Sequence, residues 1–177
     1  MTRIPPVEPI ELRPNITSRY GEACYELHGI ENMPMLYRVL GNSPAMLSAW
    51  LDVAWALRYE ATSRRGLREL AILLVGHHLE APYCIGAHER MARAEGIPDD
   101  KIAAITDWKR SPHFTDDERI VLHLADAMLR REAHAELLEA SRVRFGPEQT
   151  IELVLTIAFY QMVAATTTAL DLAPERR

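Results

Sequence analysis

Three residues in the stretch Glu69-Leu70-Ala71-Ile72-Leu73-Leu74-Val75-Gly76-His77-His78-Leu79-Glu80-Ala81-Pro82-Tyr83-Cys84-Ile85-Gly86-Ala87-His88 break the pattern around them. Glu69 shares the i, i+3, i+4, i+7 stripe of Ile72, Leu73 and Gly76. Covering that face desolvates a carboxylate and moves it toward the working range of a general acid or base. Paired with Arg65 or Arg68 at the surface, the same glutamate is unremarkable in chemistry. Cys84 falls in the first turn of a helix opened by Pro82, where free N–H groups and the helix dipole favour a thiolate. The alternative for Cys84 is a small core hydrophobe. His88 lies four residues on, one turn away on the same face. It can take the thiol proton, act alone as acid or base, or sit on the helix surface. Tyr83, His77 and Trp50 are candidates to line a substrate pocket around this set.

His77, His78, Cys84 and His88 are also possible metal ligands. Adjacent His77 and His78 point about 100° apart on a helix. No second cysteine or acidic residue completes a closed tetrahedral set of familiar spacing, so no metal site is assigned. His28, His113, His123 and His134 have no partners in the pattern and read as surface or capping residues.

The chain that must position these groups has 177 residues, 48% of them hydrophobic and 25% charged, the balance of a globular domain with a sizeable core. A formal net charge of -5 leaves no basic surplus for phosphates, so a nucleic-acid or anionic-membrane partner is not expected. A small-molecule substrate is the better expectation. Cys24 and Cys84 are too few for a disulfide framework, which fits a reducing, cytoplasmic setting. Prolines at Pro5 and Pro6 interrupt any secretory apolar stretch. The run from Ile151 to Leu170 carries Glu152, Gln161 and Thr166-Thr167-Thr168, too polar for a span of about 20 apolar residues, and reads as a buried helix.

Residues 1–19 hold Pro5, Pro6, Pro9 and Pro14 and are expected to form an extended arm, followed by one domain over 20–177. The rest has helical periodicity without strand-like runs, so the fold class is all-α. Helices are expected over 18–31, 35–40, Pro44 to about Tyr59 with Ser43 as N-cap, 64–79, and Pro82 to a stop at Gly96. Further helices start at Pro98-Asp99-Asp100 and at Thr115, which has capping-box spacing to Glu118. The last two cover 135–145 and 147–170, separated by Gly146. On the third long helix, Leu67, Leu70, Ala71, Leu74 and Val75 form one apolar face and Ile72, Leu73 and Gly76 the next, so both need cover.

At these residues the sequence resembles the carboxymuconolactone decarboxylase family, whose other branch is alkylhydroperoxidase D. The resemblance rests on Arg68-Glu69, Tyr83-Cys84-x-x-x-His88, Ala92-x-x-x-Gly96-Ile97-Pro98, Phe114-Thr115-Asp116-Asp117-Glu118-Arg119, Phe145-Gly146-Pro147-Glu148 and Phe159-Tyr160, over about residues 35–172. It implies an all-α, obligate homo-oligomer, trimer or hexamer, with catalytic Glu69, Cys84 and His88 and no cofactor. The alkylhydroperoxidase pattern has two cysteines in Cys-x-x-Cys-x-x-x-His. Here Cys84 is the second and Ala81 stands at the first, so a dithiol cycle lacks its resolving partner. The decarboxylase branch looks like Tyr-Glu-Trp-x-x-His. Tyr83 and His88 match it, while Cys84 and Ile85 replace Glu and Trp.

Two mechanisms follow. In the preferred one, His88 and Glu69 perform acid–base chemistry on a small carboxylated, lactone or enolisable substrate and Cys84 lines the pocket. In the other, Cys84 is a one-cysteine peroxidase nucleophile deprotonated through His88 and Glu69. A third reading is a non-catalytic oligomeric accessory protein. Along a simple hairpin turning near residue 81, Glu69 lies about 18 Å from the turn and His88 about 10 Å, so their contact is not given by spacing.

Overall fold

The computed structural model describes residues 2–8, 11, 33–132 and 135–174, and among these the regular structure is helical, as the periodicity predicts. The helix expected over 18–31, together with Cys24, His28 and His134, lies outside the described residues. The chain forms two compact units, one from Met1–Glu60 with Ala169–Arg177 and one from Ala61–Thr168.

In the first unit, α1 (Met35–Leu40) and α2 (Pro44–Trp55) surround a small cluster of Met33, Leu47 and Leu51, with Val7, Tyr37 and Leu40 packed on it. Pro44 begins α2, where its missing N–H costs nothing. Ser43 holds the N-cap position, but its side chain makes no capping bond, contrary to expectation. The α-helix also stops at Trp55, short of the expected Tyr59. A π-helical turn carries on over Ala56–Glu60, with the Trp55 and Tyr59 rings 4.3 Å apart. The proline-rich start is held down. Val7 N–H donates to Arg38 O at 3.0 Å, Arg38 Nε returns a bond to Val7 O at 3.1 Å, and Asn42 Nδ2 donates to Pro5 O at 2.9 Å.

The second unit holds α3 (Arg65–His78), α4 (Pro82–Ala94), α5 (Asp99–Ala103), a 3-10 turn (Ile105–Asp107), α6 (Asp116–Arg130) and nearly all of α7 (Ala135–Ala169). α3 packs against both α4 and α6, and every residue from Leu67 to Gly76 is buried, so both apolar faces are covered as expected. Leu70, Leu73, Ile105, Leu122, Leu124, Leu153 and Ile157 form the driest part of the core. The helix ends follow their local chemistry. Pro82 opens α4 and Gly96, at φ 80°, stops the chain just after it. At α6 the Thr115 hydroxyl accepts from Glu118 N–H while Glu118 Oε2 accepts from Thr115 N–H at 2.7 Å, the predicted reciprocal cap. Gly146, at φ 83° and ψ 169°, divides α7 into 135–145 and 147–169.

Glu152 of α7 fixes the start of α3. Its carboxylate accepts from the N–H groups of Thr62 at 2.8 Å and Ser63 at 2.7 Å. Burial opposes its charge, but these bonds outweigh that and hold the carboxyl below its ordinary value. By length and composition α7 is apolar enough to cross a membrane; 44% of its most apolar window is buried, and Leu153 and Ile157 are core residues.

Candidate active site

The α3–α4 hairpin is unusually tight because of Gly76. Its carbonyl accepts from Ala81 N–H at 2.9 Å. A Cβ placed on it would sit 3.2 Å from Ile85 Cγ1 and 3.6 Å from Cys84 Cβ, so glycine lets the first turn of α4 lie this close without displacing the Ile85 side chain. The axial mismatch between the two arms is taken up within one chain. Glu69 and His88 meet, with His88 Nδ1 2.7 Å from Glu69 Oε2, and both side chains are buried, at 4% and 6% exposure.

The pair has further supports. Arg65 Nε lies 3.4 Å from Glu69 Oε1, one turn back on α3. Tyr160 of α7 places its ring edge-on to the imidazole, with centroids 4.7 Å apart and an interplanar angle of 84°. Arg68 is buried too but turns away, donating to the Ser63 carbonyl and to Ser63 Oγ at 2.9 Å. Burial pulls its guanidinium below the ordinary arginine value, while the nearby Glu152 and Glu69 carboxylates support its charge.

The donor in this contact follows the tautomer: with Glu69 ionised and so acceptor-only, the proton sits on His88 Nδ1 and the lone pair on Nε2. That is the tautomer a general base needs. Cys84 behaves differently from its first-turn expectation. It is 3% exposed, and burial pushes its thiol up to about 11, against a hydrogen bond with Thr167 that works the other way. The single Thr167 hydroxyl proton already goes to the carbonyls of Val163 and Ala164, at 2.9 and 3.1 Å. With that proton shared, the Thr167 bond only partly offsets burial, and the thiol form is the one accommodated. Desolvation outweighs the helix dipole here because the dipole is worth about 1 kcal/mol, less than burial of a thiolate.

The other expected pocket residues divide. Tyr83 precedes Cys84 in the first turn of α4 and is half-buried. His77 belongs elsewhere, to a cleft of about 330 Å³ lined also by Leu74, His78, Trp108, Asp126 and Arg130. Eight residues past Glu69, it has rotated about 80° around α3. Trp50 is buried on α2 in the first unit. Of the scattered histidines, His113 lies 3.4 Å from Asp100 and His123 stacks edge-on to Trp108. Among the described residues no three metal-ligating side chains converge. Tyr160 and Thr167, not singled out from the sequence as site residues, stand seven apart on one face of α7, and that spacing was the available signal.

Comparison with known proteins agrees with this architecture. The "Carboxymuconolactone decarboxylase family" matches residues 44–127. An Escherichia coli protein described as "Uncharacterized protein YnjA" is 23% identical over 96% of this chain and 92% of its own length. An alkylhydroperoxidase AhpD core structure from Ralstonia eutropha, an uncharacterised peroxidase-related protein, superposes with a TM-score of 0.82 at 17% identity, covering 98% of this chain and 92% of that one. A debrominase in complex with 2,3,4-tribromopyrrole gives a TM-score of 0.79 at 17% identity over 99% of this chain and 92% of that one. In its helical fold, its Arg68-Glu69 and Tyr83-Cys84-x-x-x-His88 motifs and the match over residues 44–127, the chain is similar to the carboxymuconolactone decarboxylase family and to AhpD-like structures.

Proposed function

We propose that the protein is an acid–base enzyme of the decarboxylase type, in which His88 Nε2 exchanges a proton with the reacting carbon of a small lactone, carboxylated or enolisable acid. The observation that carries this reading is the buried 2.7 Å contact between His88 Nδ1 and Glu69 Oε2. It orients the ring, presents the Nε2 lone pair, and stabilises the imidazolium formed on proton uptake. The proton then returns from Nε2 to the product carbon, and Glu69 keeps its charge throughout. Cys84 lines the site as a thiol.

A second reading, a one-cysteine peroxidase, draws on the peroxidase-related name carried by a structural neighbour. In it the Cys84 thiolate attacks the hydroperoxide, leaving a sulfenic acid and an alcohol, and an external thiol reduces the sulfenic acid. The buried thiol near 11 disfavours it. Ala81, also buried, stands where a resolving cysteine would be needed. We also propose a homo-oligomer, trimer or hexamer, in a reducing compartment.

The test is proton exchange in heavy water over a panel of small enolisable acids and lactones, followed by NMR together with any loss of carbon dioxide. Exchange or decarboxylation that survives Cys84→Ser and drops at least about 100-fold in His88→Ala and Glu69→Gln supports the acid–base reading. Turnover lost in Cys84→Ser and retained in His88→Ala would overturn it.

A further inference from the structure

Arg64 carries a charge that the fold leaves in surplus. Its Nη2 donates to Asp117 Oδ2 at 2.5 Å, and Arg144 already grips that carboxylate as a two-bond fork, through Nε to Oδ1 at 2.5 Å and Nη2 to Oδ2 at 2.9 Å. Two guanidiniums on one carboxylate leave one positive charge unmatched. The contact with Asp117 uses one of the five N–H donors that an arginine carries. The Arg64 side chain is 65% exposed, which leaves the others open to a ligand.

Arg64 borders a cleft of about 450 Å³ formed by the start of α3, the turn between α4 and α5, Lys101 and Glu118. The volume is that of a small-molecule site. Leu67 and Ile97, members of the main core, give the cleft an apolar wall. Its other charged groups are engaged with carboxylates or cations of the fold. Lys101 Nζ donates to both oxygens of Glu118, at 2.7 and 2.8 Å, and Arg65 Nε lies 3.5 Å from Glu95 and 3.4 Å from the buried Glu69. Three cations therefore line the cleft against two carboxylates, Glu95 and Glu118, in a chain whose net charge is -5. Arg65 both lines the cleft and contacts Glu69 one turn on along α3, so one side chain links the cleft to the Glu69–His88 pair.

We propose that this cleft binds the carboxylate of a small organic acid with an apolar body, and that Arg64 is its anchor. The proposal deepens the acid–base reading and rests on it for the ligand's being the substrate, though not for the binding itself. A guanidinium fork matches the two oxygens of a carboxylate, and a charge-assisted pair of this kind is stronger than a neutral hydrogen bond. The ligand need not break the existing contacts, because Asp117 keeps both bonds to Arg144 when Arg64 turns to the cleft. The wall of Leu67 and Ile97 favours an acid with a hydrocarbon body over a bare anion.

The experiment is amide NMR of the full-length protein titrated at constant ionic strength with benzoate, with its neutral analogue benzamide, and with acetate. Benzoate should shift the amides of Gly66 and Gly96, which line the cleft, in a saturable way. Benzamide and acetate should bind about tenfold more weakly or less, the first for want of charge and the second for want of an apolar body. Arg64→Gln should weaken benzoate about tenfold or more. Arg110→Gln removes the same charge from an exposed arginine outside the cleft and should leave the affinity unchanged. Absence of a saturable shift with benzoate, equal affinity for benzamide or acetate, or an unchanged affinity in Arg64→Gln would overturn the proposal. So would an equal loss in Arg110→Gln. Benzoate binding that depends on Arg64, together with failure of every substrate in the heavy-water panel, would count against the function and not against the cleft.

Discussion

At the residue scale, Cys84 is where local and tertiary physics disagree. Its place in the first turn behind Pro82 favours a thiolate, and burial beside Thr167 reverses that, holding the thiol near 11. The sequence shows a helix start directly but not the seven-residue face of α7 that arrives to cover it. The raised value carries a stability consequence. A thiol whose folded pKa is raised contributes stability that is fully present below its unfolded value and is lost as pH climbs through the folded one. Between about pH 9 and 11 the protein should therefore lose roughly 3 kcal/mol relative to a Cys84→Ala variant, seen as a converging pair of melting curves. Glu69 is legible as a candidate because it is a carboxylate on an apolar stripe, and His88 because it lies one helical turn from Cys84 on the same face. Their contact was not legible, since arms of about 18 and 10 Å do not predict a meeting without the packing of the two helices.

At the element scale, boundaries with a capping device were readable and the others were not. The Thr115–Glu118 box, Pro82 and Gly96 all stand where their side-chain or backbone chemistry puts them. The π-helical turn over Ala56–Glu60 has no comparable signal in its residue types, and Ser43 is a cap by position only. Removing the box hydroxyl in Thr115→Ala should cost about 1 kcal/mol in urea denaturation. Gly76→Val should cost more, about 2–3 kcal/mol, because its side chain would enter the space held by Ile85 and Cys84. That variant should also disturb the NMR signals of the His88 ring, whereas Thr115→Ala should not. Glu152 binds the segment leading into α3, and its carboxyl is held low. Its contribution is thus present above the unfolded carboxylate range and fades as pH falls through the lower folded value, so Glu152→Gln should flatten the acid limb of the stability profile.

At the scale of the whole molecule, α7 keeps one apolar stripe outward. Ile151, Leu155 and Met162 are 57%, 52% and 46% exposed, with Ala158 and Ala165 completing a spacing of four and three along the helix. The sequence reads this run as a buried helix, and Ile151, Leu155 and Met162 depart from that. If copies associate through this stripe, light scattering should give a mass of three or six chains, and Leu155→Glu should shift the mass toward one chain without unfolding it. An unchanged oligomer in that variant would place the interface elsewhere.

The central claim is that chemistry runs through the Glu69–His88 pair and not through the thiol. The most direct measurement is intact-mass analysis at pH 7 after a stoichiometric organic hydroperoxide and a sulfenic-acid trap, comparing wild type with Cys84→Ser so that Cys24 is controlled for. A buried thiol near 11 predicts no trapped adduct that depends on Cys84. Rapid, stoichiometric trapping lost in Cys84→Ser would contradict the account and make the protein a one-cysteine peroxidase.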